Sequence, residues 1–67
     1  MRIQINGEPL ELSEQVTLSE LIAQLNLAPA RLAIERNREV VRRADWRETL
    51  LAEGDQIEIV HFVGGGV

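Results

Sequence analysis

The tightest constraint on the fold lies in Val16-Thr17-Leu18-Ser19-Glu20-Leu21, which marks where a helix begins. A threonine followed three residues later by glutamate is a capping box. The Thr17 side chain accepts from the amide of Glu20, and the Glu20 side chain accepts from the amide of Thr17. Val16 and Leu21 carry the spacing of a hydrophobic staple across that cap. Leu18, Leu21, Ile22 and Leu25 then fall on one stripe, so the helix has an apolar face that must cover a sheet. Asn26 and Pro29 bracket its end.

Sheet signals surround this helix. Arg2-Ile3-Gln4-Ile5-Asn6 alternates polar and apolar residues, the period of a half-buried strand. Asn6-Gly7 is a hairpin turn signal, because both residues tolerate positive φ. Leu10 and Leu12, separated by Glu11, predict a second strand antiparallel to the first. Pro9 removes a backbone donor and sends that strand to an edge. After the helix, Leu32 and Ile34 face one way and Ala33 and Glu35 the other. Asn37 suits a turn, and Val40-Val41 supplies a short strand beyond it. Asp45-Trp46-Arg47-Glu48 predicts a single helical turn that presses Trp46 onto the body, with Leu50 and Leu51 finishing the core. Gly54-Asp55 is a tight turn into a last strand, Gln56 to Phe62.

A hairpin, one crossing helix and a returning last strand give a mixed four- to five-stranded sheet with one face covered. Right-handed crossover sets the last strand beside the first, in parallel. The expected class is α+β, with a β-grasp (ubiquitin-like) arrangement over residues 1–62.

Composition excludes several functions. The 67 residues suffice for one small core and leave little surface for a cleft. There is no cysteine, and His61 is the single histidine, so no thiolate or histidine cluster can hold a metal. Net charge is −4, and Trp46 and Phe62 are the aromatic residues. An acidic chain with two aromatic rings lacks both the cationic patch and the stacking platform that nucleic acid requires. The arginines at 36, 38, 42, 43 and 47 are read as a solvated loop. No stretch is long enough to cross a bilayer, and the strand pattern starts at once, which makes the cytoplasm the expected compartment. His61 falls on the inward phase of the last strand and is assigned a structural or edge role. Glu35 with Glu39, and Glu53 with Asp55, are read as solvated charge on turns.

The end of the chain carries the functional signal. Val63-Gly64-Gly65-Gly66-Val67 holds three of the five glycines and leads into no further element. Ordering such a run costs backbone entropy and offers nothing to pack. Its use is steric: residues 63–67 are expected to be a flexible tail whose carboxyl enters a narrow site on another protein. From Val63 to Gly66 it could reach at most roughly 13 Å. Glu58, Val60 and Phe62 lie on the face of the last strand away from the helix. Val60, Phe62 and Val63 are the candidate partner-docking residues, with Phe62 either exposed there or folded into the core.

Glu35-Arg36-Asn37, Val40-Val41-Arg42-Arg43-Ala44-Asp45-Trp46 and the run from Gly54-Asp55 through Gly64-Gly65-Gly66 closely resemble the ThiS family, the sulfur carriers of thiamine biosynthesis. The resemblance spans the whole chain. It implies that a ThiF-like adenylating enzyme uses MgATP to convert the carboxylate of Gly66 to an acyl-adenylate, with Gly64 and Gly65 as spacer. Sulfur from a persulfide donor then replaces AMP, and the resulting thiocarboxylate serves a ThiG-like thiazole synthase. The carrier itself would bind no cofactor, supply no catalytic residue and be no enzyme. Family members end at glycine, whereas this chain ends Gly66-Val67. Removal of Val67 is the expectation; a carrier that tolerates valine, or a residue foreign to the natural chain, are the alternatives. A molybdopterin-type carrier, a protein-conjugating modifier and a β-grasp interaction module without covalent chemistry are the competing readings.

Overall fold

The computed structural model describes residues 1–62. Strand β1 (Arg2–Ile5) turns into β2 (Glu8–Glu11), and helix α1 (Leu18–Gln24) follows. A 3-10 turn at Pro29–Arg31 leads to β3 (Leu32–Arg36) and β4 (Glu39–Val41). A second 3-10 segment, Arg43–Glu48, precedes β5 (Gln56–His61). The sheet order is β2-β1-β5-β3-β4, with β5 parallel to β1 and antiparallel to β3. This is the expected mixed sheet, with five strands, and the proline-bearing β2 is at an edge.

Local chemistry accounts for each boundary. Both bonds of the capping box form: the Glu20 amide donates to Thr17 Oγ1 at 3.2 Å and the Thr17 amide to Glu20 Oε1 at 2.8 Å. Asn26, at φ 61°, ends α1 in a Schellman arrangement. There the Leu27 amide donates to Ile22 O and the Asn26 amide to Ala23 O. The β1–β2 turn has Asn6 at φ 50° and Gly7 at φ 84°, the paired positive values that a two-residue hairpin demands. The β3–β4 turn repeats this with Asn37 and Arg38, at 51° and 73°.

The helix lays Leu18, Leu21 and Ile22 on Ile3, Leu32, Ile34, Ile57 and Ile59 of the sheet, with Leu12, Val16, Trp46 and Leu51 closing the margins. With no disulfide present, this burial is the main stabilising term, at about 1.5–3 kcal/mol per large apolar side chain. Trp46 is buried as expected, and its Nε1–H donates to Val41 O at 2.9 Å. Leu50 is not core, contrary to expectation, but half-exposed. The segment pairs briefly with the start of the helix, Thr17 opposite Leu50. Extended backbone alternates its sides, so Leu51 turns in and Leu50 out. No helix among the described residues is long and apolar enough to cross a membrane.

Candidate functional site

Of the predicted docking residues, Val60 lies near the far end of β5, the central strand, and Phe62 just past it, and the way they are held starts at the near end of that strand. Asp55 is 5 % exposed, which corrects its reading as solvated charge. Its Oδ2 accepts from Arg36 Nε at 2.9 Å and from the Ala52 amide at 2.8 Å, and its Oδ1 accepts from Asn37 Nδ2 at 3.0 Å. Asn37 in turn accepts from the Gln56 amide through Oδ1 at 2.9 Å. Burial by itself would raise the Asp55 pKa. The bonds from Ala52, Asn37 and Arg36, with the Arg36 charge, outweigh it and hold the carboxyl below the usual aspartate range. The Glu-Arg-Asn and Gly-Asp motifs are therefore two halves of one lock, which ties the β3–β4 turn to the start of β5.

A second tie holds the middle of β5. Strand β1 stops at Ile5, but the Asn6 side chain supplies one more rung. Its Oδ1 accepts from the Ile59 amide at 2.7 Å and its Nδ2 donates to Ile59 O at 3.3 Å. The third tie is at the exit, where the Phe62 amide donates to Arg31 O at 2.8 Å. The strand is thus fixed up to the last residue before the glycine-rich stretch.

On the face away from α1, Val60 and Phe62 stand 57 % and 50 % exposed. Phe62 is on the surface, which decides the question that alternation left open. Val60 lies opposite Ala33 on β3. Val40, 72 % exposed on β4, belongs to the same face, because its partner Glu35 has the opposite phase to buried Ile34. The alternation of the sequence did not single out Val40, although carrying the phase of β3 through the two-residue turn would have done so. Glu35 and Glu58, both exposed, face each other across β3 and β5 beside this apolar group.

His61 keeps the inward phase, opposite buried Leu32, but is exposed. The buried phase of β5 ends at Ile59, because the described chain does not cover the last rung. Arg36 and Arg43 also depart from the solvated loop expected of them. Arg36 binds Asp55, while Arg43 donates to Leu32 O at 3.0 Å and lies 5.3 Å from the Trp46 ring centroid. Arg38, Arg42 and Arg47 are exposed as expected. Val63, Gly64, Gly65, Gly66 and Val67 lie outside the described residues.

A cavity of about 400 Å³ opens between the β1–β2 hairpin and the end of α1, lined by Ile5, Asn6, Glu8, Pro9, Leu10 and Leu25. Glu8 is the one ionisable side chain in that lining, so it contains no acid–base pair. What the described residues show here is a strand fixed up to Phe62 beside an exposed apolar surface.

One helix on a five-stranded mixed sheet, with parallel first and last strands, defines a β-grasp protein of the ubiquitin-like class. The comparisons with known proteins narrow that class. The ThiS family model matches residues 3–66, and the chain belongs to the ThiS family. It is 37 % identical to the sulfur carrier protein ThiS of Bacillus subtilis, over 96 % of this chain and 98 % of that protein. It is 47 % identical to a thiazole synthase of Magnetococcus marinus over 98 % of its own length, but spans only 20 % of that protein. The crystal structure of the thiamine biosynthesis protein ThiS from Geobacter metallireducens superposes with a TM-score of 0.85 at 33 % identity. That match covers 98 % of this chain and all of the other.

Proposed function

We infer that this chain is a sulfur carrier of thiamine biosynthesis, acting as a substrate of other enzymes and not as an enzyme itself. The observation that carries the reading is the end-to-end match to the ThiS family and to a carrier of similar length. Two structural features support it: the rigid hold on β5 up to Phe62, and the exposed Val60 and Phe62 beside the exit.

In this reading the carboxylate of Gly66 attacks the α-phosphate of MgATP in a ThiF-like enzyme, releasing pyrophosphate. The step is needed because a carboxylate resists nucleophiles, whereas AMP is a good leaving group. A persulfide then displaces AMP, and a thiol cleaves the resulting acyl disulfide to leave the thiocarboxylate. Gly64 and Gly65 thread the enclosed site, and Val60, Phe62 and Val63 meet the partner outside it. The acceptor is a ThiG-like thiazole synthase. Its support is the thiazole synthase of Magnetococcus marinus, a fifth of whose length is similar to this chain. The requirement for ATP supports the cytoplasm as the compartment. Val67 is removed first, so that glycine presents the carboxyl.

Intact-mass measurement tests the whole sequence of steps. The chain, and the same chain cut back to end at Gly66, are each incubated with ATP, the adenylating enzyme, a persulfide donor and a thiol. A species ending at Gly66 that gains the oxygen-to-sulfur increment is expected. A species that gains it while still ending at Val67 would defeat the removal step alone. No increment on either species, with the body folded and the adenylating enzyme active, would defeat the carrier reading.

A further inference from the structure

Hydrogen bonds along β5 alternate between its two neighbours, and the alternation can be followed to the strand's end. The Asn37 amide donates to Gln56 O and the Phe62 amide to Arg31 O, so Gln56, Glu58, Val60 and Phe62 direct their backbone groups toward β3. Asp55, Ile57 and Ile59 direct theirs toward β1: their carbonyls accept from the Gln4 amide, the Asn6 amide and the Asn6 side chain. His61 has the phase of Ile57 and Ile59. Its N–H and C=O therefore point to the side on which β1 has already turned away at Asn6-Gly7. Among the described residues they have no partner.

This open rung has a distinct setting. It lies one repeat beyond the Asn6 rung, so a strand laid there would continue the β1 position of the sheet. On the open face it is flanked by exposed Val60 and Phe62. Next to Val60, Glu58 and Glu35 are directly opposed. Like charges in that position repel, and among the described residues neither joins an ion pair. A cation brought beside them would relieve that repulsion.

We propose that the edge of β5 at His61 is a docking slot for one extended segment of the adenylating enzyme. The segment pairs its backbone with His61 as an added strand and sets an apolar and a cationic side chain over Val60 and Glu58. This rests on the carrier reading and gives it a mechanism of delivery. A strand paired at His61 holds the chain extended just before the glycines, so the carboxyl is aimed and not left to search. Main-chain bonds supply the affinity in such strand addition, and alternate side chains supply the specificity.

The test uses the full chain made by total synthesis, with and without an N-methyl group on His61. That amide bonds nothing within the described body, so the thermal midpoint should not move. Affinity for the adenylating enzyme should fall about tenfold, the effect of one net hydrogen bond at the upper end of its range. Exchange of the His61 amide with deuterium should be fast in the free chain and slowed in the complex. E58Q should raise stability slightly while weakening the complex, a pairing of signs that a purely structural role would not give. Equal binding of the methylated chain, with the unmodified chain bound normally, would overturn the slot and leave the carrier reading intact. Protection by thiazole synthase but not by the adenylating enzyme would also overturn it. Failure of the unmodified chain to bind either enzyme would remove both.

Discussion

Replacing Asp55 by asparagine exchanges a carboxylate for an amide of the same shape, and the surrounding bonds set the cost. Oδ2 faces two donors, Arg36 Nε and the Ala52 amide, and Oδ1 faces a third, Asn37 Nδ2. Whichever way the new amide lies in D55N, its NH2 points at a donor. Asn37 cannot rotate to receive it without breaking the bond from the Gln56 amide to its own Oδ1. The variant therefore loses the attraction to Arg36 and leaves at least one donor facing another. With hydrogen bonds to a charged group worth about 1.5–3 kcal/mol each, and Arg36 partly solvated, the expected loss is about 2–3 kcal/mol. For a domain of this size that lowers the thermal midpoint by about 8–24 °C. Urea unfolding of both proteins across pH provides the assay. The native Asp55 pKa lies below its unfolded value near 3.9, so its contribution is complete above that value. As pH falls through the depressed native pKa, the wild type loses this contribution and the gap to D55N closes. A gap of the same size at pH 7 and pH 2 would refute the charge argument. The absence of any gap at pH 7 would refute the lock itself.

Thr17→Ala removes one half of the capping box and should cost about 1 kcal/mol in urea unfolding, with the midpoint falling and the slope unchanged. Trp46→Phe keeps most of the buried ring but loses the bond to Val41 O. About 1–2 kcal/mol is expected, and a loss near zero would show that this carbonyl finds another donor. Phe62→Ala removes a half-exposed ring, so stability should change by less than about 0.5 kcal/mol. Its affinity for the proposed adenylating partner, by calorimetry, should drop; unchanged affinity with an intact fold would remove Phe62 from the proposed docking surface.

The parts of this fold that were legible in the chain are those governed by short-range rules. The Thr17–Glu20 box, the Asn6-Gly7 turn and the alternation in β1, β3 and β5 each draw on residues within a few positions of one another, and each stands in the structure. Parallel pairing of β1 with β5 followed from the handedness of crossovers. What escaped the reading depends on partners far apart in sequence. Asp55 looks like a turn residue until Arg36 and Asn37 are brought to it, 19 and 18 positions away. Asn6 looks like a turn residue alone, and only the fold shows its side chain extending a strand against Ile59. His61 defeated alternation because periodicity gives the phase of a side chain and not whether anything covers it. The open apolar face was legible in phase at Val60 and Phe62, while their exposure was not.

The place of β5 has a consequence for synthesis of the chain. Because it lies between β1 and β3, the sheet before its arrival is two separate hairpins, β1–β2 and β3–β4, with no rung joining them. Isolated hairpins are marginal in water, so the body closes only when the last strand has left the ribosome. The segment that completes the core is also the segment that leads into the glycines. A truncated or half-made chain therefore lacks both the closed core and the lead into the glycines.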